Sequence, residues 1–380
     1  MFSFFASLWG KVTASLMSAI ISFGVSLGAY IPATTEKAEN YHDSNIKNVI
    51  FLIGDGMGYN HLEKTKFERN VTLTMDTFTI QGSSRTRSLT NDVTDSAAGG
   101  TALSSGIRTY NSGVGVYLLD PLDVFSHPIS ITELCRDNGM LTGVITTDET
   151  SGATPASFSA HAYDRYEAED ITDDQMTSDI NLIWGTENGV ATKEQANKNG
   201  YQYITTYSEM MALEEGSKSF AQFTNDLWKL EQTDENTPTL SQMTEKAIDL
   251  LDDGENGFFL MVEGAHIDKH SHSNESENTT EATEEFDRAI KIALDYAKND
   301  GNTLVVVTAD HETGAITKNA KGEYEFTSGD HSAADVPIRV YGTEKLIKNS
   351  ETINNYEIPI RIAYILGFTE EEFPISKIAA

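Results

Sequence analysis

Four apolar runs, each ending in an acid, constrain this chain more than any other feature. "KNVIFLIGDG", "GMLTGVITTDE", "GFFLMVEG" and "NTLVVVTADHE" are almost continuously hydrophobic until their last residues. Strands of that kind belong to sheets covered on both faces, which are mostly parallel. The covering elements are visible too. A helix-like stretch over Tyr59–Arg69 follows the first run, and "ISITELCRDNGM", "LSQMTEKAIDLLDD" and "TEEFDRAIKIALDYAKND" precede the other three with apolar residues at helical spacing. Helix and strand in alternation predict an α/β fold, a three-layer sandwich around a mostly parallel sheet, forming one domain over residues 45–380. Residues from about 185 to 240 are polar and less periodic, and are expected to form a small peripheral subdomain or insert.

The chain has 380 residues, ample for such a core, and a formal charge of −31 from 27 basic and 58 acidic residues. That surplus argues against nucleic acid or an anionic membrane as a partner, since both are polyanions. It suits a solvated surface in saline or cold water, and it leaves carboxylates to hold cations. The single cysteine, Cys135, allows no intrachain disulfide, and its helical setting predicts a buried small hydrophobe. The first 33 residues carry a long, largely apolar run whose single charged side chain is Lys11. This reads as an export signal, with an uncleaved N-terminal membrane anchor as the alternative, and predicts a periplasmic or extracellular protein.

The strand ends deliver Asp55, Asp148 with Glu149, Glu263, and Asp310 with His311. In open α/β sheets ligands bind at the carboxyl ends of the strands. Several carboxylates gathered there repel unless cations hold them together. "HIDKHSH" adds Asp268 and His272, four apart on one helical face, and "TSGDHSAAD" adds His331. Mixed aspartate and histidine sets suit zinc, whereas an all-oxygen set such as Asp55, Glu263 and a threonine suits magnesium. His42, His61 and His127 read as structural.

"NDVTDSAAGGTALSSGI" places Ser96 at the start of a helix, after Asp95 and before alanines and glycines. Capping alone would account for Asp95 and Ser96. Yet a helix start is also a seat for an anion, and a zinc ion beside a serine oxygen lowers its pKa enough that no neighbouring base is needed.

Taken in order, "GDGMG", "DVTDSAAGGTA", "GATPASFSAH", "VEGAHIDKHSH" and "TADHETG" resemble the successive signature blocks of the alkaline phosphatases, from about residue 47 to 345. The resemblance implies a secreted, metal-dependent phosphomonoesterase acting at neutral to alkaline pH through a phosphoserine on Ser96. It implies two zinc ions and one magnesium ion. Asp268, His272 and His331 would hold the first zinc, and Asp55, Asp310 and His311 the second. Asp55, Thr154 and Glu263 would hold the magnesium. Arg165 matches the arginine that grips two phosphate oxygens, and Lys269 a position near the phosphate, making Ser96, Arg165 and Lys269 the substrate-binding set. The implied partners are small phosphate monoesters. Nucleic acid is not expected, nor stable membrane contact unless the N-terminal segment stays uncleaved. A homodimer is compatible, although the short peripheral region removes one familiar source of contact.

One position departs from the family pattern: Gly152 stands where aspartate or histidine is usual, two residues before Thr154. It leaves open whether Asp148, Glu149 or water completes the third cation's surroundings, or whether the site is more open. The neighbouring activities are less well matched. Phosphodiesterases of this scaffold use threonine and lack the arginine, sulfatases need a C/S-x-P-x-R setting, and a non-catalytic metalloprotein would not need both Ser96 and Arg165.

Overall fold

The computed structural model describes residues 37–117, 127–224 and 226–374. The N-terminal export or anchor segment lies outside them. Ten strands form one sheet: β1 (Asn48–Gly54), β2 (Ile80–Arg85), β3 (Leu141–Glu149), β4 (Leu182–Thr186), β5 (Gln202–Ile204), β6 (Ser219–Phe223), β7 (Phe258–Gly264), β8 (Thr303–Thr308), β9 (Val336–Tyr341) and β10 (Thr352–Asn354). Their order is β10-β2-β9-β8-β1-β7-β3-β4-β6-β5. Only β9 runs antiparallel to its neighbours; every other pairing is parallel.

The strand interiors show why the sequence runs were unbroken. In β1, Val49, Phe51 and Ile53 enter one apolar cluster while Ile50 and Leu52 enter the other. β7 and β8 alternate in the same way, with Phe259, Met261, Leu304 and Val306 on the first side and Leu260, Val262, Val305 and Val307 on the second. Side chains of a strand alternate between faces, so two covered faces demand apolar residues at every position. The helix Ile131–Asp137, which carries the buried Cys135, and the helix Glu357–Ile365 close the first side. Helices Leu240–Leu251 and Ser276–Asp300 close the second. The three layers expected from the pattern are present.

Residues 185–240, expected as a peripheral insert, are peripheral in position but continuous with the sheet. β6 pairs with β4 and β5 with β6, so this segment builds one edge of the same sheet. Its strands are short and its helices of five and six residues are mostly polar, too short for a periodic signal to emerge.

Parallel pairing aligns the acid-bearing strand ends. Ile53 of β1 lies opposite Glu263 of β7 and Thr308 of β8, and Glu263 lies opposite Thr146 of β3. Asp55, Glu263 and Asp310 thus meet at one edge.

Candidate active site

Two further pieces complete that edge. The helix α1 (His266–His272) follows β7 directly and turns Asp268 and His272 to one side. After β8, Glu312–Thr313 pairs antiparallel with His331–Ser332, which carries His331 back beside His311 with ring centroids 3.6 Å apart. Gly56, at φ +72°, lets the chain after Asp55 pass against this helix; a β-carbon there would stand 2.8 Å from the Asp268 β-carbon.

Ser96 is the first residue of helix α2 (Ser96–Ser105) and is 3% exposed. Asp95 caps the helix, its Oδ1 accepting from the Ala98 amide at 3.0 Å. Its other oxygen accepts from the Ser112 amide at 2.9 Å and from Arg165 Nη1 at 3.3 Å. The capping role of Asp95 is therefore real, and the same carboxylate holds Arg165 next to the start of this helix. The small residues after Ser96 allow close approach: a β-carbon on Gly99 would be 3.1 Å from the Asp310 β-carbon, and one on Gly100 3.3 Å from the Thr154 α-carbon.

No histidine lies near Ser96 in the sequence, but the fold brings one. His311 Nε2 stands 3.2 Å from Ser96 Oγ, 3.4 Å from Asp55 Oδ1 and 3.3 Å from Asp310 Oδ2. A serine base would turn that nitrogen to the serine alone. Four ligand atoms about 2.0–2.1 Å from a tetrahedral ion stand roughly 3.3–3.4 Å apart, and these separations match. In the second cluster His272 Nε2 is 3.0 Å from His331 Nε2 and 3.3 Å from Asp268 Oδ2, while His331 Nε2 is 3.5 Å from Asp268 Oδ1. Both triads, Asp55–Asp310–His311 and Asp268–His272–His331, have ligand atoms within 4.8 Å of one another.

The outer contacts present the right nitrogen. His272 Nδ1 donates to the Gly329 carbonyl at 2.6 Å, and His331 Nδ1 to the Thr94 carbonyl at 2.9 Å. His311 Nδ1 faces Thr313 Oγ1 at 3.2 Å, and that hydroxyl donates to Asp268. Each Nε2 is left with its lone pair directed inward, the arrangement that orients histidine ligands. The expected structural role holds for His61, whose ring accepts from the Gly58 amide and bonds Ser271 of α1, each at 3.0 Å.

The electrostatics agree. Burial, with Asp310, Asp268 and Glu263 nearby, pushes Asp55 well above the ordinary carboxylate range. Burial and Asp268 lift Asp310 to about 7, and burial and Asp148 lift Glu263 to about 8. Burial would also raise Asp268, but the imidazoles of His272, His311 and His331 hold it low. Among the expected ligands, the buried atoms Asp55 Oδ1, Asp310 Oδ2 and Thr154 Oγ1 have no hydrogen-bond partner. Unpaired buried carboxylates cost several kcal/mol each unless compensated, so the residues present fit divalent cations.

Lys269, on α1, pairs with Asp148. Burial lowers its pKa, yet Asp148, Glu263 and Asp55 hold it above the usual lysine value. The fold thus brings Ser96 beside Asp55, Asp310 and His311, groups Asp268 with His272 and His331, and pairs Arg165 with Asp95 and Lys269 with Asp148. Sequence reasoning missed Thr313, the Thr94 and Gly329 carbonyls and Thr146, which donates to Glu263. Backbone carbonyls and lone threonines carry no sequence signal of their own.

Comparison with known proteins decides the family. The alkaline phosphatase family model matches residues 46–186 and 172–326. The chain belongs to the alkaline phosphatase family. It is 32% identical over 351 residues to alkaline phosphatase 4 of Bacillus subtilis (strain 168), covering 84% of this chain and 73% of that one. Among solved structures it resembles the alkaline phosphatase of the Antarctic bacterium TAB5, with a TM-score of 0.71, 31% identity, and coverage of 86% of this chain and 99% of that one. A variant of the TAB5 enzyme, described with Mg bound in the M3 site, matches with a TM-score of 0.70 at the same 31% identity and the same coverage of 86% and 99%. As a family member the chain is a metal-dependent phosphomonoesterase.

Proposed function

We propose that Ser96 is the nucleophile of this phosphatase and that Arg165 and Lys269 bind the substrate phosphoryl group. The observation that carries this reading is the convergence of Ser96 Oγ, Asp55, Asp310 and His311 at tetrahedral-edge separations, 3.2–3.4 Å around His311 Nε2. Asp268, His272 and His331 hold one zinc ion, and Asp55, Asp310 and His311 the other. Asp55, Thr154 and Glu263, an all-oxygen set, hold magnesium. Bound there, the cations offset charge on the phosphoryl oxygens and lower the pKa of an adjacent hydroxyl or water.

The chain's own groups do the rest. Ser96 Oγ gives its proton to solvent and attacks phosphorus in line, forming the serine P–O bond as the ester P–O bond breaks and the alcohol leaves with a proton from solvent. Water then attacks the phosphoserine, freeing inorganic phosphate and restoring the hydroxyl. The Ser96 and Ala97 amides at the start of α2, not taken by Asp95, and the Arg165 fork are the groups that would meet the three equatorial oxygens, where charge accumulates. Asp95 limits the arginine's freedom, so the fork is pre-positioned. Small phosphate monoesters are the substrate class, because the recognition groups address the phosphoryl end. The apolar run in the first 33 residues supports export. Among the described residues no helix is long and apolar enough to cross a membrane.

The test compares p-nitrophenyl phosphate with bis-p-nitrophenyl phosphate, from pH 7 to pH 10, before and after chelation. Metal-dependent monoester cleavage with little diester cleavage is expected; preferred diester cleavage would refute the assignment. Arg165→Ala is expected to raise KM for the monoester roughly 10- to 100-fold, the loss of one or two charge-assisted hydrogen bonds. An unchanged KM and unchanged inhibition by inorganic phosphate would remove Arg165 from the binding set.

A further inference from the structure

Gly152 is the N-cap of helix α3 (Ala153–Ser159), whose first turn carries Thr154. The space beside it is not open. A β-carbon on residue 152 would stand 2.5 Å from Asp148 Oδ2 and 2.8 Å from Asp148 Cγ. In any aspartate the carboxylate oxygens lie about 2.4 Å from their own β-carbon, given bonds of about 1.5 and 1.25 Å. The Asp148 oxygen therefore stands as far from that β-carbon position as the oxygen of an aspartate at 152 would. Any larger side chain at 152 and the present rotamer of Asp148 exclude each other.

Asp148 is also tied to the cation site. Its amide donates to Thr146 Oγ1 at 2.8 Å, and the same hydroxyl donates to Glu263. On its other side Asp148 holds Lys269. Thr154 Oγ1, in a residue 1% exposed, has no partner in the same neighbourhood and offers a lone pair for an ion. A hard, oxygen-preferring cation with retained waters is what such a set accepts, with carboxylates reached directly or through those waters.

We propose that Asp148 supplies the outer carboxylate of the third cation site, in the place a residue-152 side chain would take, and that Gly152 makes room for it. This rests on the magnesium assignment made above for Asp55, Thr154 and Glu263. The carboxylate is delivered from the end of β3 instead of the cap of α3, while its pairing with Lys269 keeps the lysine beside the phosphoryl site. Asp148 is thus a positioning residue for both the cation's shell and Lys269.

The test is calorimetric titration of magnesium into the zinc-loaded protein. Asp148→Asn is expected to weaken magnesium binding about 10-fold, the lower end of what outer-contact residues contribute to metal affinity. The exchange variant Asp148→Ala/Gly152→Asp is expected to recover wild-type affinity within about 3-fold, by the same measure. Zinc content by mass spectrometry reports whether each variant is folded and loaded. Magnesium affinity indifferent to Asp148→Asn overturns the proposal, and so does an exchange variant no tighter than Asp148→Ala. Absence of magnesium binding in the zinc-loaded wild type overturns the third-site assignment itself. Loss of metal-dependent monoesterase activity in the wild type would instead overturn the functional reading.

Discussion

Ser96→Ala is expected to lower kcat/KM for p-nitrophenyl phosphate by roughly 10³-fold or more, the scale at which removing a nucleophile acts. The substitution removes one oxygen from the point where His311 Nε2, Asp55 and Asp310 converge. It leaves the helix start intact, because the cap is Asp95 and the Ala98 amide keeps its acceptor. Zinc content and the melting temperature of the loaded protein should therefore change little. The residual rate would come from positioning and charge alone. Rapid-quench trapping of a phosphoprotein in wild type, absent in the variant, gives an independent readout. Retention of more than a tenth of the activity by the variant would mean that water attacks the ester directly and that Ser96 is a helix-start residue only.

Chelation is expected to destabilise the protein, and more so at pH 8 than at pH 5.5. Without cations, Asp310 titrates near 7 and Glu263 near 8, both raised by burial, with Asp268 and Asp148 respectively as the nearby like charges. A carboxylate whose folded pKa is raised holds its proton in the folded state after the unfolded chain has lost it. Its contribution to stability is thus fully present below about pH 4, the unfolded value, and is lost as pH rises through the folded pKa. Between pH 5.5 and 8 the metal-free fold must ionise clustered carboxylates at one buried edge. The loaded protein escapes this because cations compensate the charges, and binding energy adds to stability. Calorimetric melting with and without chelator at both pH values is the check. A Tm loss on chelation that is equal at the two pH values, or larger at pH 5.5, would contradict the repulsion argument.

Much of the fold was legible because its strands are short, apolar and bounded by turns. β1, β3, β7 and β8 were each marked by a run that two-sided burial requires. β2, by contrast, reads "IQGSSR", with only two of its residues fully buried, and it was not legible. β5 has three residues, too few for any period to register. The long helix Ser276–Asp300 announced itself by amphipathic spacing, while the five-residue helix Tyr207–Met211 did not.

The site divides along the same line. Sequence alone singled out the candidates: acids at the ends of apolar runs, Asp268 and His272 one helical turn apart, and Ser96 at a helix start among small residues. These are local facts, set by strand polarity and helical period. Only the tertiary structure decided which of them meet. The ribbon joining 312–313 to 331–332 sets His331 against His311, and parallel register aligns Glu263 with Thr146 and Ile53. Such contacts depend on chain returns of many residues, and no local pattern encodes the distance between two side chains brought together by a sheet.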